Sequence, residues 1–100
     1  SGSGPAYFFL LMEEMIKAGV EMGLPQTVAK DLVLQTARGA GLLAAQADQN
    51  GESPAVLRQK VTSPGGTTAA ALKVFAEGNL SKLIAAALTK ARDRARELSS

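Results

Sequence analysis

Apolar residues recur along this chain at spacings of three and four, and Val, Ile and Thr never alternate with polar residues over the length of a strand, so the pattern is helical throughout. Gly and Pro divide it into five expected helices. The first starts at Pro5, whose missing N–H suits the first helical position, with Ser3 or Gly4 as cap, and ends at Gly23 ahead of Leu24-Pro25. The second opens at Pro25 and runs to about Gln49, stopping at Asn50-Gly51. Ser53-Pro54 is an N-cap and first-turn pair for a short third helix through about Val61. The segment Thr62-Ser63-Pro64-Gly65-Gly66 then breaks the pattern. A fourth helix covers Thr67 to Glu77 and ends at Gly78, and a fifth runs from about Leu80 to Leu98 with Asn79 or Ser81 as cap.

The faces of these helices indicate how they pack. Tyr7, Phe8, Phe9, Leu10, Leu11 and Met12 make the first helix apolar all round, which implies burial on several sides. The second carries Val28, Leu32, Gly39, Leu42 and Leu43 on one side and a stripe of small residues, Ala29, Val33, Ala37, Ala40, Ala44 and Ala47, on another. Small side chains let a second backbone approach closely, which offsets the roughly 1 kcal/mol that a glycine costs in a helix interior. The fifth repeats Leu80, Ile84, Ala87, Ala91, Ala95 and Leu98, a narrow docking seam. The expected architecture is therefore all-α, about five helices that interlock with a second copy in a homodimeric bundle.

Composition narrows the chemistry. A chain of 100 residues fits one domain, and its 46% hydrophobic residues with ten glycines exclude a disordered chain. The absence of His and Cys removes thiol nucleophiles, His general bases, Cys/His zinc sites and disulfides, so no metal site is expected. A net charge of +2 is too weak a field to argue for nucleic acid or an anionic membrane as partner. The longest apolar run, from Pro5 to Met12, is well short of the roughly 20 residues that span a bilayer. Ser1-Gly2-Ser3-Gly4 lacks the basic start of a secretory signal, although its composition fits a linker, and the expected location is cytoplasmic.

Three candidate motifs have simpler structural readings. Gly39-Ala40-Gly41-Leu42-Leu43-Ala44 matches the dinucleotide fingerprint G-x-G-x-x-G/A, but helical period continues on both sides and no strand follows, so a helix crossing is expected. Glu13 and Glu14 point about 100° apart on a helix and cannot face one substrate; one of them is expected to pair with a Lys or Arg or to cap a partner helix. Lys90, Arg92, Arg94 and Arg96 are diluted by Asp93 and Glu97 and read as a solvated helix end.

The fourth motif is Val61-Thr62-Ser63-Pro64-Gly65-Gly66-Thr67-Thr68. The first turn of a helix leaves backbone N–H groups without internal partners, and those of Gly65, Gly66, Thr67 and Thr68 fall there whether the helix begins at Pro64 or at Thr67. With the positive end of the helix dipole they suit a carboxylate or phosphate. Two glycines let a ligand reach the backbone, and the hydroxyls of Ser63, Thr67 and Thr68 add donors. No Lys follows the glycines, which argues against triphosphate chemistry. The residues alone leave two readings open, a Ser-Pro N-cap and a small-anion site.

On these motifs the chain resembles the C-terminal dimerising domain of the pyrroline-5-carboxylate reductase family. The resemblance is carried by Ser1-Gly2-Ser3-Gly4-Pro5-Ala6-Tyr7, by Met22-Gly23-Leu24-Pro25, by the stretch from Pro54 to Phe75 around the Ser-Pro-Gly-Gly loop, and by Arg96-Glu97-Leu98. Ala76 departs from it, since the family usually has a polar residue there. The resemblance implies a fold like the C-terminal domain of 6-phosphogluconate dehydrogenase, interlocked as a homodimer that can assemble further. It also implies that Ser1 to Gly4 is native and that an N-terminal Rossmann domain carrying NADPH or NADH belongs to the intact enzyme and is absent here. The fragment alone is then expected to bind no cofactor and to be inactive.

The implied activity is NAD(P)H-dependent reduction of 1-pyrroline-5-carboxylate to L-proline, a step of proline biosynthesis. The family's pattern implies substrate binding by Ser63, Gly65, Gly66, Thr67 and Thr68, with the carboxylate on the N–H groups of Gly66, Thr67 and Thr68 and with Ser63 lining the pocket. Thr68 is the expected catalytic contact, hydrogen-bonding the imine or product amine nitrogen. Two alternatives stand beside this reading: a non-enzymatic helical dimerisation or interaction module, and a related reductase acting on another small carboxylate.

Overall fold

The computed structural model describes residues 2–100. They form five helices in chain order, α1 (Gly4–Glu21), α2 (Gln26–Gln49), α3 (Pro54–Lys60), α4 (Thr67–Glu77) and α5 (Leu80–Ser99), with no strand among the described residues. The chain divides into two compact units, one up to Pro54 and the other Ala55–Ser100.

In the first unit α1 and α2 form a helical hairpin. The α1 helix ends through Gly23, which takes φ +109° so that its N–H reaches the Val20 carbonyl at 3.0 Å and the Leu24 N–H reaches that of Gly19 at 3.1 Å. These two bonds satisfy carbonyls that the helix end would otherwise leave bare. The α2 helix stops in the same way, with Gly51 donating to Asp48 at 3.0 Å and Glu52 to Ala47 at 2.9 Å. Helical residues therefore end at Glu21, before Gly23, and Pro25 precedes α2 as its extended cap, receiving the Ala29 N–H at 3.0 Å.

The small-residue stripe faces inward as its spacing implies. Ala29 and Ala47 are buried, Val33, Ala37 and Ala44 are half-buried, and only Ala40 departs by being exposed. Opposite them α1 presents Met12, Ile16 and Gly19, all half-buried. A Cβ on Gly19 would stand 3.2 Å from the Ala29 methyl, so the two backbones approach as closely as a bare backbone and a methyl allow.

Burial of α1 on several sides is not realised within the chain. A hairpin covers each helix once, and the outer face of α1 stays open, with Phe8 66% and Phe9 63% exposed. Ala29 and Ala47 are the only buried residues among those described. All the aromatic residues, Tyr7, Phe8, Phe9 and Phe75, are exposed, as are Leu32, Leu42 and Leu43 on the second face of α2.

In the second unit α4 turns into α5 at a tight corner. Gly78 donates to Val74 at 2.9 Å and Asn79 to Ala76 at 3.1 Å, and the left-handed residue is Asn79, φ +58°, with Gly78 at an ordinary φ of −81°. Asn is among the few non-glycine residues that occupy this region routinely. Its cap to α5 is made by the backbone, with Leu83 N–H to the Asn79 carbonyl at 3.1 Å, and its side chain makes no capping bond. The same holds for Ser3 at α1, whose carbonyl accepts the Ala6 N–H at 3.0 Å. The α5 seam is uncovered: Leu83, Ile84, Leu88 and Leu98 are exposed, and no described residue of this unit is buried.

Candidate functional site

The loop between α3 and α4 is built almost entirely by backbone geometry. The end of α3 is closed by Val61 N–H to Arg58 O at 3.3 Å and Thr62 N–H to Gln59 O at 3.1 Å, and the Thr62 hydroxyl donates to the Arg58 carbonyl at 2.5 Å. Ser63 to Gly66 is then a β-turn. Pro64 sets φ at its first central position, Gly65 supplies φ +72° at the second, and Gly66 N–H closes it on the Ser63 carbonyl at 3.0 Å, the arrangement of a type II turn. Gly66 follows as the extended N-cap of α4, with φ −87° and ψ −173°. A Cβ there would press on the Ser63 carbonyl oxygen at 3.2 Å.

Ser63, Gly65, Gly66, Thr67 and Thr68 are thus brought together in one turn and the first turn of α4, with a difference in which donors are free. Gly66 N–H, expected among the anion-facing groups, is committed to Ser63. The first bond of α4 is Ala70 N–H to Gly66 O at 3.1 Å, so the N–H groups of Thr67, Thr68 and Ala69 stand ahead of the helical ladder. The Ala69 N–H is a donor that the sequence does not single out. Fixing the helix start at Thr67 would have revealed it, because the third helical residue is then Ala69. Thr68 and Ala69 are half-buried, whereas Ser63 and Thr67 are exposed.

Gly65→Ala forces a methyl into the left-handed region at a cost of about 1–2 kcal/mol. Urea denaturation should show that loss, and an unchanged midpoint would mean that the loop is not held in this turn.

The other candidate motifs lie in α1, α2 and α5. Gly39 to Ala44 lies in the uninterrupted helix α2, so these residues make no dinucleotide cradle. Glu13 and Glu14 are exposed, and the expected ion pair with a Lys or Arg is not formed among the described residues. In the basic cluster Arg92 pairs with Asp93 at 3.2 Å and Arg94 with Glu97 at 3.4 Å, all well exposed. No group of metal-ligating side chains occurs among the described residues, and no helix there is long and apolar enough to cross a membrane. The first unit carries open grooves. One of about 720 Å³ is lined by residues including Phe9, Ile16, Val20 and Leu34, and one of about 190 Å³ by residues including Met15, Leu24 and Leu32.

The family model for pyrroline-5-carboxylate reductase dimerisation matches residues 1–98. The chain belongs to this family. A pyrroline-5-carboxylate reductase of Pseudomonas aeruginosa is 49% identical over 98 residues, which are 98% of this chain and 35% of that protein. One of Arabidopsis thaliana is 43% identical over 99 residues, 99% of this chain and 35% of that protein. Among solved structures, a pyrroline-5-carboxylate reductase of Coxiella burnetii superposes with a TM-score of 0.92 at 49% identity, covering 100% of this chain and 36% of that one. A pyrroline carboxylate reductase of Plasmodium falciparum, solved with NADP bound, gives a TM-score of 0.92 at 33% identity over 100% of this chain and 39% of that one. The chain therefore spans little more than a third of the length of these relatives, and its all-helical fold is the one that their dimerisation domain has.

Proposed function

We propose that this chain is the self-associating, substrate-anchoring part of a pyrroline-5-carboxylate reductase, the NAD(P)H-dependent enzyme that reduces 1-pyrroline-5-carboxylate to proline. The observation that carries the reading is the Ser63–Gly66 turn, which leaves the N–H groups of Thr67, Thr68 and Ala69 together at the start of α4. A carboxylate accepts two or three such bonds and sits at the positive end of the helix dipole. The ring of the substrate is then positioned over the half-buried Thr68, whose hydroxyl accepts from a protonated imine nitrogen or donates to a neutral one.

These residues contribute orientation, holding the reacting carbon at one place and angle. We assign the hydride to a nicotinamide cofactor and only orientation of the substrate to this chain's loop residues. The open faces of α1, α2 and α5 fit the homodimer that the family's name describes.

Titrating proline into the isotope-labelled chain should move the amide signals of Thr67, Thr68 and Ala69 while leaving those of α5 unmoved. An absence of shifts up to tens of millimolar would leave a helical dimerisation module without a substrate site.

A further inference from the structure

We propose that Thr62 is a positioning residue for the substrate carboxylate: its hydroxyl ties the Ser63–Gly66 turn to the end of α3 and so fixes how the chain enters the loop that carries the amides of Thr67, Thr68 and Ala69. The inference rests on the reading of this loop as the substrate anchor.

Thr62 lies between the end of α3 and the turn, and it is half-buried while Val61 and Ser63 on either side are exposed. Both of its donors run back to α3. The N–H reaches the Gln59 carbonyl at 3.1 Å, and the hydroxyl reaches the Arg58 carbonyl, four residues back, at 2.5 Å. A helix leaves its last carbonyls without internal partners, and Thr62 takes two of them in succession. A hydroxyl has one proton, and with that proton on Arg58 it has none to give to a substrate. Thr62 therefore acts on the site through the backbone it holds.

The elements on either side are weak by themselves. With seven residues, α3 is too short to be a stable helix through its own hydrogen bonds. The turn is closed by the bond from Gly66 N–H to Ser63 O at 3.0 Å, and the next bond, Ala70 N–H to Gly66 O at 3.1 Å, already belongs to α4. Rotation about the Thr62 backbone would swing Ser63 and the turn away from α3. Threonine is stiff at χ1, so a bond at its hydroxyl fixes side chain and backbone together. A ring whose carboxylate is gripped at this loop needs that fixity, because small misplacements of a bound substrate are costly to reaction.

The carboxylate is held before hydride transfer and during it, so loosening that grip removes binding common to both states. Such a loss appears in KM and leaves kcat unchanged.

The test is steady-state kinetics of the complete reductase with Thr62→Val and Thr62→Ser. The Val variant keeps the branching and removes the hydroxyl, and the Arg58 carbonyl still receives the Val61 N–H at 3.3 Å, so helical structure should persist. Its KM for pyrroline-5-carboxylate should rise about 3- to 10-fold, the size of one net hydrogen bond. Its kcat and its KM for the nicotinamide cofactor should stay within about twofold of the parent. Thr62→Ser should restore the parental KM. Hydrogen exchange at the Gly66 amide, which reads the turn directly, should quicken in the Val variant and return to the parental rate in the Ser variant. A Val variant with parental KM overturns the inference and leaves the proposed function standing. So does a Ser variant as impaired as Val, since the methyl group would then matter instead of the hydroxyl. A Val variant that loses its helical circular dichroism also overturns it, because the hydroxyl would then hold the fold and not the loop. A parent enzyme that does not reduce pyrroline-5-carboxylate overturns the proposed function, and this role with it.

Discussion

Replacing Thr68 with Val in the complete reductase should lower kcat/KM for pyrroline-5-carboxylate by about 10- to 100-fold with little change in melting temperature. A hydrogen bond to a charged group contributes about 1.5–3 kcal/mol, and each 1.36 kcal/mol is tenfold in rate. Valine shares the β-branching of threonine, so α4 and the backbone donors of Thr67, Thr68 and Ala69 persist and the loss isolates the hydroxyl. Thr68→Ser should restore most of the activity. Steady-state kinetics decide the matter, and a Val variant within twofold of the parent would show that Thr68 does not touch the reacting nitrogen.

Changing Phe8 and Phe9 together to Glu should abolish the folded state. In the free chain both rings are largely exposed, so taken alone the exchange should be nearly neutral. In a dimer that covers α1, each chain loses two aromatic burials worth about 1.5–3 kcal/mol each and must find partners for two buried carboxylates. That total exceeds much of the 5–15 kcal/mol by which domains are ordinarily stable. Circular dichroism at micromolar concentration should show a largely unfolded chain. Lys90→Glu, on an exposed part of α5, serves as a control that stays dimeric and helical. A double variant that remains a helical dimer would place the interface elsewhere.

The helical content of this chain and the inner face of α2 were legible from spacing alone, because Ala29, Val33, Ala37, Ala44 and Ala47 repeat at helical period and small residues have one use there. The α1 helix taught a different lesson. Its all-round apolar surface was plain, but a sequence says that a face needs covering without saying whether the cover belongs to the same chain.

At the termini, periodicity competes with local hydrogen bonding. Asn79 takes the left-handed role that Gly78 offered to fill, and Ser3 and Asn79 cap through carbonyls rather than side chains. The loop was recognisable residue by residue, yet the donor set shifted by one place. Whether Gly66 N–H faces out or closes a turn depends on the Pro64-Gly65 dihedral angles, which composition does not state.

The Ser63–Gly66 turn and the three amides after it contain no ionisable side chain. A site of backbone amides and hydroxyls has one protonation state from acid to alkaline conditions. On the reading proposed above, the loop adds no titrating group of its own, and the acidity profile of the reaction arises from groups elsewhere. On this account the loop is a holder indifferent to acidity, and any proton-dependent control over the reaction is exercised from outside it.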